Sequence, residues 1–448
     1  MATCALHLSE AARAVHGRLH GADRVFTGVG TDTRKVEAGR LFVALKGENF
    51  DGHDFVLEAA AKGAVGAVVS RPVKTDIPQI EVADTRIALA ELAAHWRAQF
   101  SIPVVAVTGS NGKTTVKEMI AAILGQAGPV LATRGNLNNE IGVPLTLLQL
   151  DTTHRAAVIE EGASHVGDIA YLTARVRPTV GVVTNAAGAH LKGFGTVEAV
   201  ARTKGELFEF VTPDGTAVIN ADDDYCDMWR WLADARRIIT FGLDHEADVR
   251  GKWDARGPLH IVTSEGSMNA ELKLLGRHNA MNALAATAAA LAAGADLAAI
   301  KAGLEGLRPV AGRLQTKPGI NGARLIDDTY NANPASLAAA LAVLAEFDGE
   351  RYLALGDMAE LGDEAESLHA AAGQQARELG INCLYAVGEH ARFAAEAFGA
   401  EGRHFETQAS LVERLRVDLH ANVTLLVKGS RSSRMENVVN ALIIEEKV

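Results

Sequence analysis

VVAVTGSNGKTT, the stretch from Val104 to Thr115, decides the fold of this chain. Val104, Val105, Ala106 and Val107 make an apolar run of the length of a buried strand, and Val116, Met119, Ile120, Ile123 and Leu124 recur at helical spacing. Between them lies a turn of small and polar residues, Thr108, Gly109, Ser110, Asn111 and Gly112. Strand, glycine loop, Lys-Thr and helix form a cradle for a polyphosphate. Loop N–H groups face the phosphates, the helix N-terminus adds positive potential, Lys113 neutralises charge, and the Thr114 hydroxyl can reach Mg²⁺. The usual spacing G-x-x-x-x-G-K-[ST] puts glycine where Val107 stands. Read alone, the stretch is a shortened phosphate loop, and an ordinary strand-to-helix turn is the competing reading.

The rest of the composition suits a globular protein of several domains. With 448 residues, 48% of them apolar and 22% charged, the chain can bury two to four cores of ordinary size. Lys plus Arg number 44 against 55 Asp plus Glu, a net charge of −11, which argues against nucleic acid or an anionic membrane as the main partner. Cys4, Cys226 and Cys383 lie far apart with no C-x-x-C pair, the usage of a reducing compartment. The start, MATCALHLSEAARAVHG, lacks a basic segment followed by an apolar one, so no signal peptide is expected. Ala335–Phe347 and Leu284–Leu304 are too short, or too interrupted by charge, to span a bilayer. These features predict a cytoplasmic protein without an integral membrane segment, and a monomer is the default expectation.

In chain order, Leu41–Leu45 and Val65–Val69 read as strands and Phe55–Lys62 as a helix. Thr31-Asp32-Thr33-Arg34 and the loop KGENFDGHDF from Lys46 to Phe55 are either solvated connections or a sugar-nucleotide site, with Arg34 or Lys46 near phosphate. A helix, Arg86–Phe100, leads to the first boundary. Ala156–Ile159 and Thr179–Val183 are strands that end in Glu160-Glu161 and Thr184-Asn185, the end at which an open α/β sheet binds its ligand. Ala217–Asn220 adds a strand, Val249–Leu274 reads as antiparallel, and Gly276-Arg277-His278-Asn279 opens an alanine-rich helix containing Asn282. Beyond Arg308-Pro309, Arg324–Ile326, Tyr352–Leu355, Leu384–Val387 and Thr424–Val427 predict a further parallel α/β unit. The fold expected is α/β in three domains, 1–101, 102–309 and 310–448.

Thr114 and Glu160 suit an oxygen-ligated Mg²⁺ completed by water and phosphate. By residue type alone, His190 reads as a structural histidine and Lys204 as a solvated cation or a partner of Glu206.

The ordered series TGSNGKTT, GNLNNEIGVPLT, VIEEGASHVGDI, AHLKGFGT, ARTKGELF, GRHNAMNALAA, AGRLQ, DDTYNANPAS, GDMAELGDE and LVKGSRS resembles the motifs of the Mur ligase family along essentially the whole chain, with DTRKVEAGRLFVALKGENFDGHDF in the first domain. DDTYNANP, GDMAELG and VKGSR resemble the members whose acceptor is D-alanyl-D-alanine. The resemblance implies an N-terminal α/β UDP-binding domain, a central P-loop ATPase domain with a mostly parallel sheet, and a C-terminal Rossmann-like α/β domain. It further implies an ATP- and Mg²⁺-dependent ligase that joins D-alanyl-D-alanine to UDP-N-acetylmuramoyl-tripeptide through an acyl phosphate. A folylpolyglutamate-type or other Mur-type ligase with a different acceptor is the rival within the class. A nucleotide-binding regulator with a degenerate site is the rival outside it.

Roles follow from the same resemblance. Gly109, Ser110, Asn111, Gly112, Lys113, Thr114 and Thr115 match the ATP loop, Asn279 and Asn282 the adenine contact, Arg313 the arginine on the γ-phosphate and Asp328 the ribose contact. Lys113, Glu160, His190 and Lys204 match the catalytic set, with Thr114, Glu160, His190 and a carbamylated Lys204 on metal. Asp32, Thr33, Arg34, Lys46, Asn138, Asn331, Lys428, Ser430 and Arg431 match substrate-facing positions. The chain departs from the family pattern at Glu161, Ser164 and Lys192. Alternation along a strand predicts that Glu161 points away from Glu160.

Overall fold

The structure is a computed structural model describing residues 4–188, 194–254 and 257–444. His190 and Lys192 lie outside the described residues. Among those described, three large sheets follow one another along the chain. The first runs Arg18–His20, Gln79–Glu81, Gly66–Val69, Leu41–Val43, Val29–Gly30 in spatial order, antiparallel at its first pair and parallel elsewhere. A two-stranded ribbon, Ala5–His7 with Val25–Thr27, stands beside it.

The second sheet has nine strands, and the opening stretch forms its interior strand Val104–Thr108. Its neighbours are Ala156–Glu160 on one side and Val180–Val183 on the other, both parallel to it. The chain passes from one flank of Val104–Thr108 to the other, so a crevice opens at that strand's carboxyl end. All five residues of Val104–Thr108 are buried, which is why its first four are apolar and do not alternate, and the Thr108 hydroxyl is satisfied by the Glu161 carbonyl. The strands Val249–Lys252, Leu259–Thr263 and Gly266–Ala270 pair antiparallel in succession, as expected for 249–274. On its other side Val249–Lys252 pairs parallel with Arg237–Gly242, a strand the apolar pattern does not announce.

The third sheet contains five parallel strands, Arg324–Asp328, Val423–Lys428, Glu350–Gly356, Cys383–Val387 and Gly402–Phe405. An antiparallel edge strand, Gln315–Pro318, corrects the expectation of a purely parallel unit. Its short connection to Arg324–Asp328 leaves no room for the crossover that a parallel pair needs.

Helix Thr85–Arg97 fastens the first sheet to the second. Leu89, Leu92 and Trp96 share one continuous core with Leu147, Ile169, Leu172 and Val176. The Trp96 indole N–H donates to the Leu150 carbonyl at 3.0 Å. Arg97 is buried yet satisfied, donating to the carbonyls of Val176 (3.0 Å), Phe100 (2.7 Å) and Arg177 (3.2 Å). The first of these closes helix Asp168–Val176, whose last carbonyls need donors and favour a cation.

Candidate active site

The phosphate loop owes its shape to groups outside it. Ser110 N–H donates to the Asn185 carbonyl (2.9 Å) and Asn111 N–H to Asn185 Oδ1 (3.0 Å). The Asn111 carbonyl accepts from Thr184 Oγ1 (2.6 Å) and Asn185 Nδ2 (3.1 Å). Strand-end Asn185 is therefore a brace for the loop. With Ser110 and Asn111 N–H groups engaged there, the free N–H groups at this loop are those of the first turn of helix Lys113–Leu124, which have no partner within the helix. Glycine is obligatory at two points. Gly109 (φ 146°) lies against the Thr184 hydroxyl and Gly112 (φ 81°) against the Asn282 amide, and a Cβ at either would collide.

A cleft of about 1120 Å³ opens above the loop, lined by the second and third sheets together. Lys113 Nζ donates to the Gly109 carbonyl at 2.6 Å and the Ser110 carbonyl at 3.3 Å. Burial pulls its pKa below that of an ordinary lysine; Glu160 opposes this and Arg313 adds to it. Glu160 is 3% exposed, its N–H donating to Thr133 Oγ1 (2.9 Å) and its Oε1 accepting from Asn138 Nδ2 (2.9 Å). Its other oxygen, Oε2, is buried with no hydrogen-bond partner. A buried carboxylate oxygen left bare costs free energy unless something positive meets it. Among the described residues no group of three His, Cys, Asp or Glu side chains could enclose a metal ion. The set present, one bare carboxylate oxygen beside the Thr114 hydroxyl's loop, fits Mg²⁺ completed by phosphate and water.

Glu161 points the other way, as alternation predicted. It is fully buried, and its Oε2 lies 2.5 Å from Thr173 Oγ1. That hydroxyl is also 2.8 Å from the Ile169 carbonyl and has one proton to give. The Oε2 contact is satisfied when Thr173 donates to Ile169 and a protonated Glu161 donates to Thr173, while Oε1 is buried without a hydrogen-bond partner. Burial pushes the Glu161 pKa up to about 8, against which the Thr173 hydroxyl acts in the opposite sense. Glu161 thus packs on Thr173 away from the cleft, where burial favours its neutral form. Glu161→Gln is expected to keep turnover within about twofold and to raise the midpoint of thermal unfolding, since it removes a costly acid and keeps its hydrogen bond. Calorimetry and a steady-state assay on the variant check both; a large loss of turnover would return Glu161 to the site.

Lys204 overturns its reading as a solvated residue. It sits on helix Val197–Glu209 and is 2% exposed, while Glu206 accepts from Ala170 N–H at 3.1 Å. Burial, and then the charge of Lys113, press its pKa well below the ordinary lysine value.

The third sheet supplies the opposite wall. Arg313 Nη2 donates to Thr114 Oγ1 at 3.0 Å, and its guanidinium lies 4.2 Å from the centre of the Tyr330 ring. Asp328 forms an ion pair with Lys428, whose Nζ also donates to the Asn331 carbonyl at 2.9 Å. Asn282 donates to Asn279 Oδ1 (3.0 Å), and Asn279 donates to the Leu275 carbonyl (2.8 Å).

Not every expected residue meets here. Asp32, Thr33, Arg34 and Lys46 do not line this cleft. Arg34 is an exposed partner of Asp32, whose carboxyl it holds down at about 2. Ser430 is buried among Ser432 and Ser433, and Arg431 pairs with Glu436. Two residues in the cleft escape the sequence reading. His278 is kept neutral by burial, its pKa pushed down to about 4 with Asp328 opposing and Lys428 assisting. Asn333 donates from Nδ2 to Asn111 Oδ1 at 2.9 Å. The sequence carries a signal for Asn333, because Asn before Pro-Ala-Ser is a helix N-cap pattern.

Fold and cleft define a phosphate-loop protein in which a third α/β unit closes over the nucleotide loop of the second. The sequence matches the Mur ligase middle domain over residues 107–290, the Mur ligase, glutamate ligase domain over 312–431, and the Mur ligase family, catalytic domain over 25–97. It is 46% identical to the UDP-N-acetylmuramoyl-tripeptide–D-alanyl-D-alanine ligase of Escherichia coli, across 97% of this chain and 98% of that protein. The Bacillus subtilis ligase of the same name is 33% identical, across 94% and 93%. A crystal structure of MurF from Acinetobacter baumannii superposes with a TM-score of 0.93 at 37% identity, covering 98% of this chain and 99% of that one. The MurF ligase of Thermotoga maritima in complex with ADP gives 0.83 at 29% identity, covering 92% and 96%. The chain belongs to the Mur ligase family, in its UDP-N-acetylmuramoyl-tripeptide–D-alanyl-D-alanine ligase (MurF) branch.

Proposed function

We infer that the chain joins D-alanyl-D-alanine to UDP-N-acetylmuramoyl-tripeptide at the expense of ATP, giving the pentapeptide precursor of peptidoglycan. The observation that carries the reading is Arg313 on Thr114, which brings the third sheet onto the first turn of the nucleotide loop. A carboxylate is a poor acyl donor, because its leaving group would be oxide. The terminal carboxylate oxygen of the tripeptide attacks the γ-phosphorus of ATP and ADP departs, leaving an acyl phosphate. The amine nitrogen of D-alanyl-D-alanine then attacks the acyl carbon, phosphate leaves, and the nitrogen gives up a proton. Splitting the reaction supplies a good leaving group, and positioning and charge neutralisation do most of the rest.

We assign residues 1–101 to the UDP sugar, 102–309 to ATP and 310–448 to the acceptor. Lys113 and the first turn after Gly112 hold the phosphates, and Arg313 reaches the γ-phosphate from the facing wall. Asn279 and Asn282 face the nucleobase, and Asp328 the ribose. Thr114 and Glu160 would hold one Mg²⁺, and His190 with a carbamylated Lys204 a second; bound there, the ions neutralise phosphate charge. Burial supports the carbamate. A neutral amine can take up CO₂, and the product replaces a cation beside Lys113 by an anionic oxygen donor. Asp32, Thr33, Arg34 and Lys46 are assigned to the UDP sugar, and Asn331, Lys428, Ser430 and Arg431 to the peptide or the acceptor. Asn138 has a second reading, since its amide already holds Glu160.

With purified protein, ATP, Mg²⁺ and the UDP-linked tripeptide, phosphate release is expected to rise with D-alanyl-D-alanine and not with single amino acids. Release indifferent to D-alanyl-D-alanine would sink the assignment.

A further inference from the structure

Asn333 is held by two sets of bonds with opposite demands. It is the N-cap of helix Pro334–Ala345, where its Oδ1 accepts from Ser336 N–H at 2.8 Å and its own N–H donates to Ser336 Oγ at 3.0 Å, a complete capping box. The cap decides which end of the amide is oxygen, so the end facing the phosphate loop is Nδ2, a donor. That donor meets Asn111 Oδ1 across 222 residues of sequence. The backbone that carries the acceptor is held, because Asn185 and Thr184 engage the Asn111 N–H and its carbonyl.

We propose that Asn333 is a positioning residue that ties the third sheet's seating to the shape of the nucleotide loop through Asn111. The Asn333 side chain and the Asn111 backbone are both held, so the bond survives only when helix Pro334–Ala345 sits in register with the loop; hydrogen bonds weaken steeply with distance and angle. The bond also orients the Asn111 amide, turning its Oδ1 to Asn333, and Asn111 is among the residues that line the cleft. Arg313 makes the companion contact on Thr114, three residues further along the loop. Asn333 therefore acts through Asn111, and the inference rests on the ATP-dependent reading of the cleft.

The test is a double-mutant cycle on the full chain. Asn333→Ser keeps an oxygen that can cap the helix while removing the amide that reaches the loop. Affinity for Mg²⁺-ADP is measured by titration calorimetry for wild type, Asn333→Ser, Asn111→Ala and the double variant, with thermal midpoints alongside. Asn333→Ser is expected to unfold within a degree or so of wild type and to bind ADP about five- to tenfold more weakly, the loss of one hydrogen bond. The double variant is expected to bind no more weakly than Asn111→Ala alone. Asn333→Ala, which also loses the cap, is expected to unfold earlier. Wild-type affinity in Asn333→Ser, or losses that multiply in the double variant, would overturn the proposal. Nucleotide binding does not depend on the acceptor, so a wild type that binds ADP but ignores D-alanyl-D-alanine would overturn the function and leave the cycle interpretable.

Discussion

Lys204→Ala is expected to lower turnover by about 100-fold or more, the scale on which metal sites respond to loss of supporting groups, and short carboxylic acids are expected to restore part of it. The side chain is 2% exposed and stands where burial and Lys113 both disfavour an ammonium. Among the described residues no ion pair to Lys204 is found, so a role as a simple charge partner is the poorer account. A carbamate turns the same stem into an anionic ligand, and acetate or formate diffusing into the alanine variant would supply comparable oxygens. Labelled bicarbonate gives a readout apart from activity: a carbamate carbon resonance in the wild type that is missing from Lys204→Ala. Full turnover in the variant, or a wild type without that resonance, would remove the carbamate from the mechanism.

The second large effect concerns Glu160. Glu160→Gln is expected to lower turnover by about 10²–10³-fold, comparable with loss of one strong electrostatic contact in the transition state, while leaving thermal stability unchanged or raised. The two signs follow from its two oxygens. Oε1 accepts from Asn138, which a glutamine oxygen can continue to do; Oε2 is buried and bare, a destabilising feature that a neutral amide relieves. Unlike the bare Oε1 of Glu161, the Glu160 carboxylate belongs to a residue that lines the cleft, where a cation can meet it. The same variant is expected to need more Mg²⁺ for half-maximal rate. A stable variant with wild-type turnover would show that Oε2 has no charged partner in the reaction.

Both predictions concern residues that the sequence marks by position and cannot place in space. Glu160 is legible as a strand-end carboxylate because an apolar run of fixed length precedes it. Whether Glu161 or Glu160 faces the cleft depends on a two-residue period, and alternation decides it correctly. Lys204 is different: read by residue type, it belongs on a solvated helix face beside Glu206. Its burial arises from packing of helix Val197–Glu209 against the sheet, which no local pattern near Lys204 reveals. The hairpin at 259–270 is visible as a turn-bounded pattern, whereas Arg237–Gly242 begins with an arginine and hides its strand character until its neighbours are known. The first-domain cluster Asp32, Arg34 and Lys46 is prominent in sequence and stays outside the cleft, since polar loops look alike whichever ligand they serve.

What the sequence by itself determined is the nucleotide loop, the α/β order of strands and helices around it, and the family. Each depends on residues adjacent in the chain, where spacing alone dictates which groups share a face or a turn. Only the tertiary structure decided how the loop is completed: Asn185 bracing it from the neighbouring strand, Arg313 reaching Thr114 across 199 residues, and Asn333 reaching Asn111 across 222. Hydrogen bonds act over about 3 Å and carry no trace along the chain, so their partners emerge only when the sheets are packed and the third is set against the second.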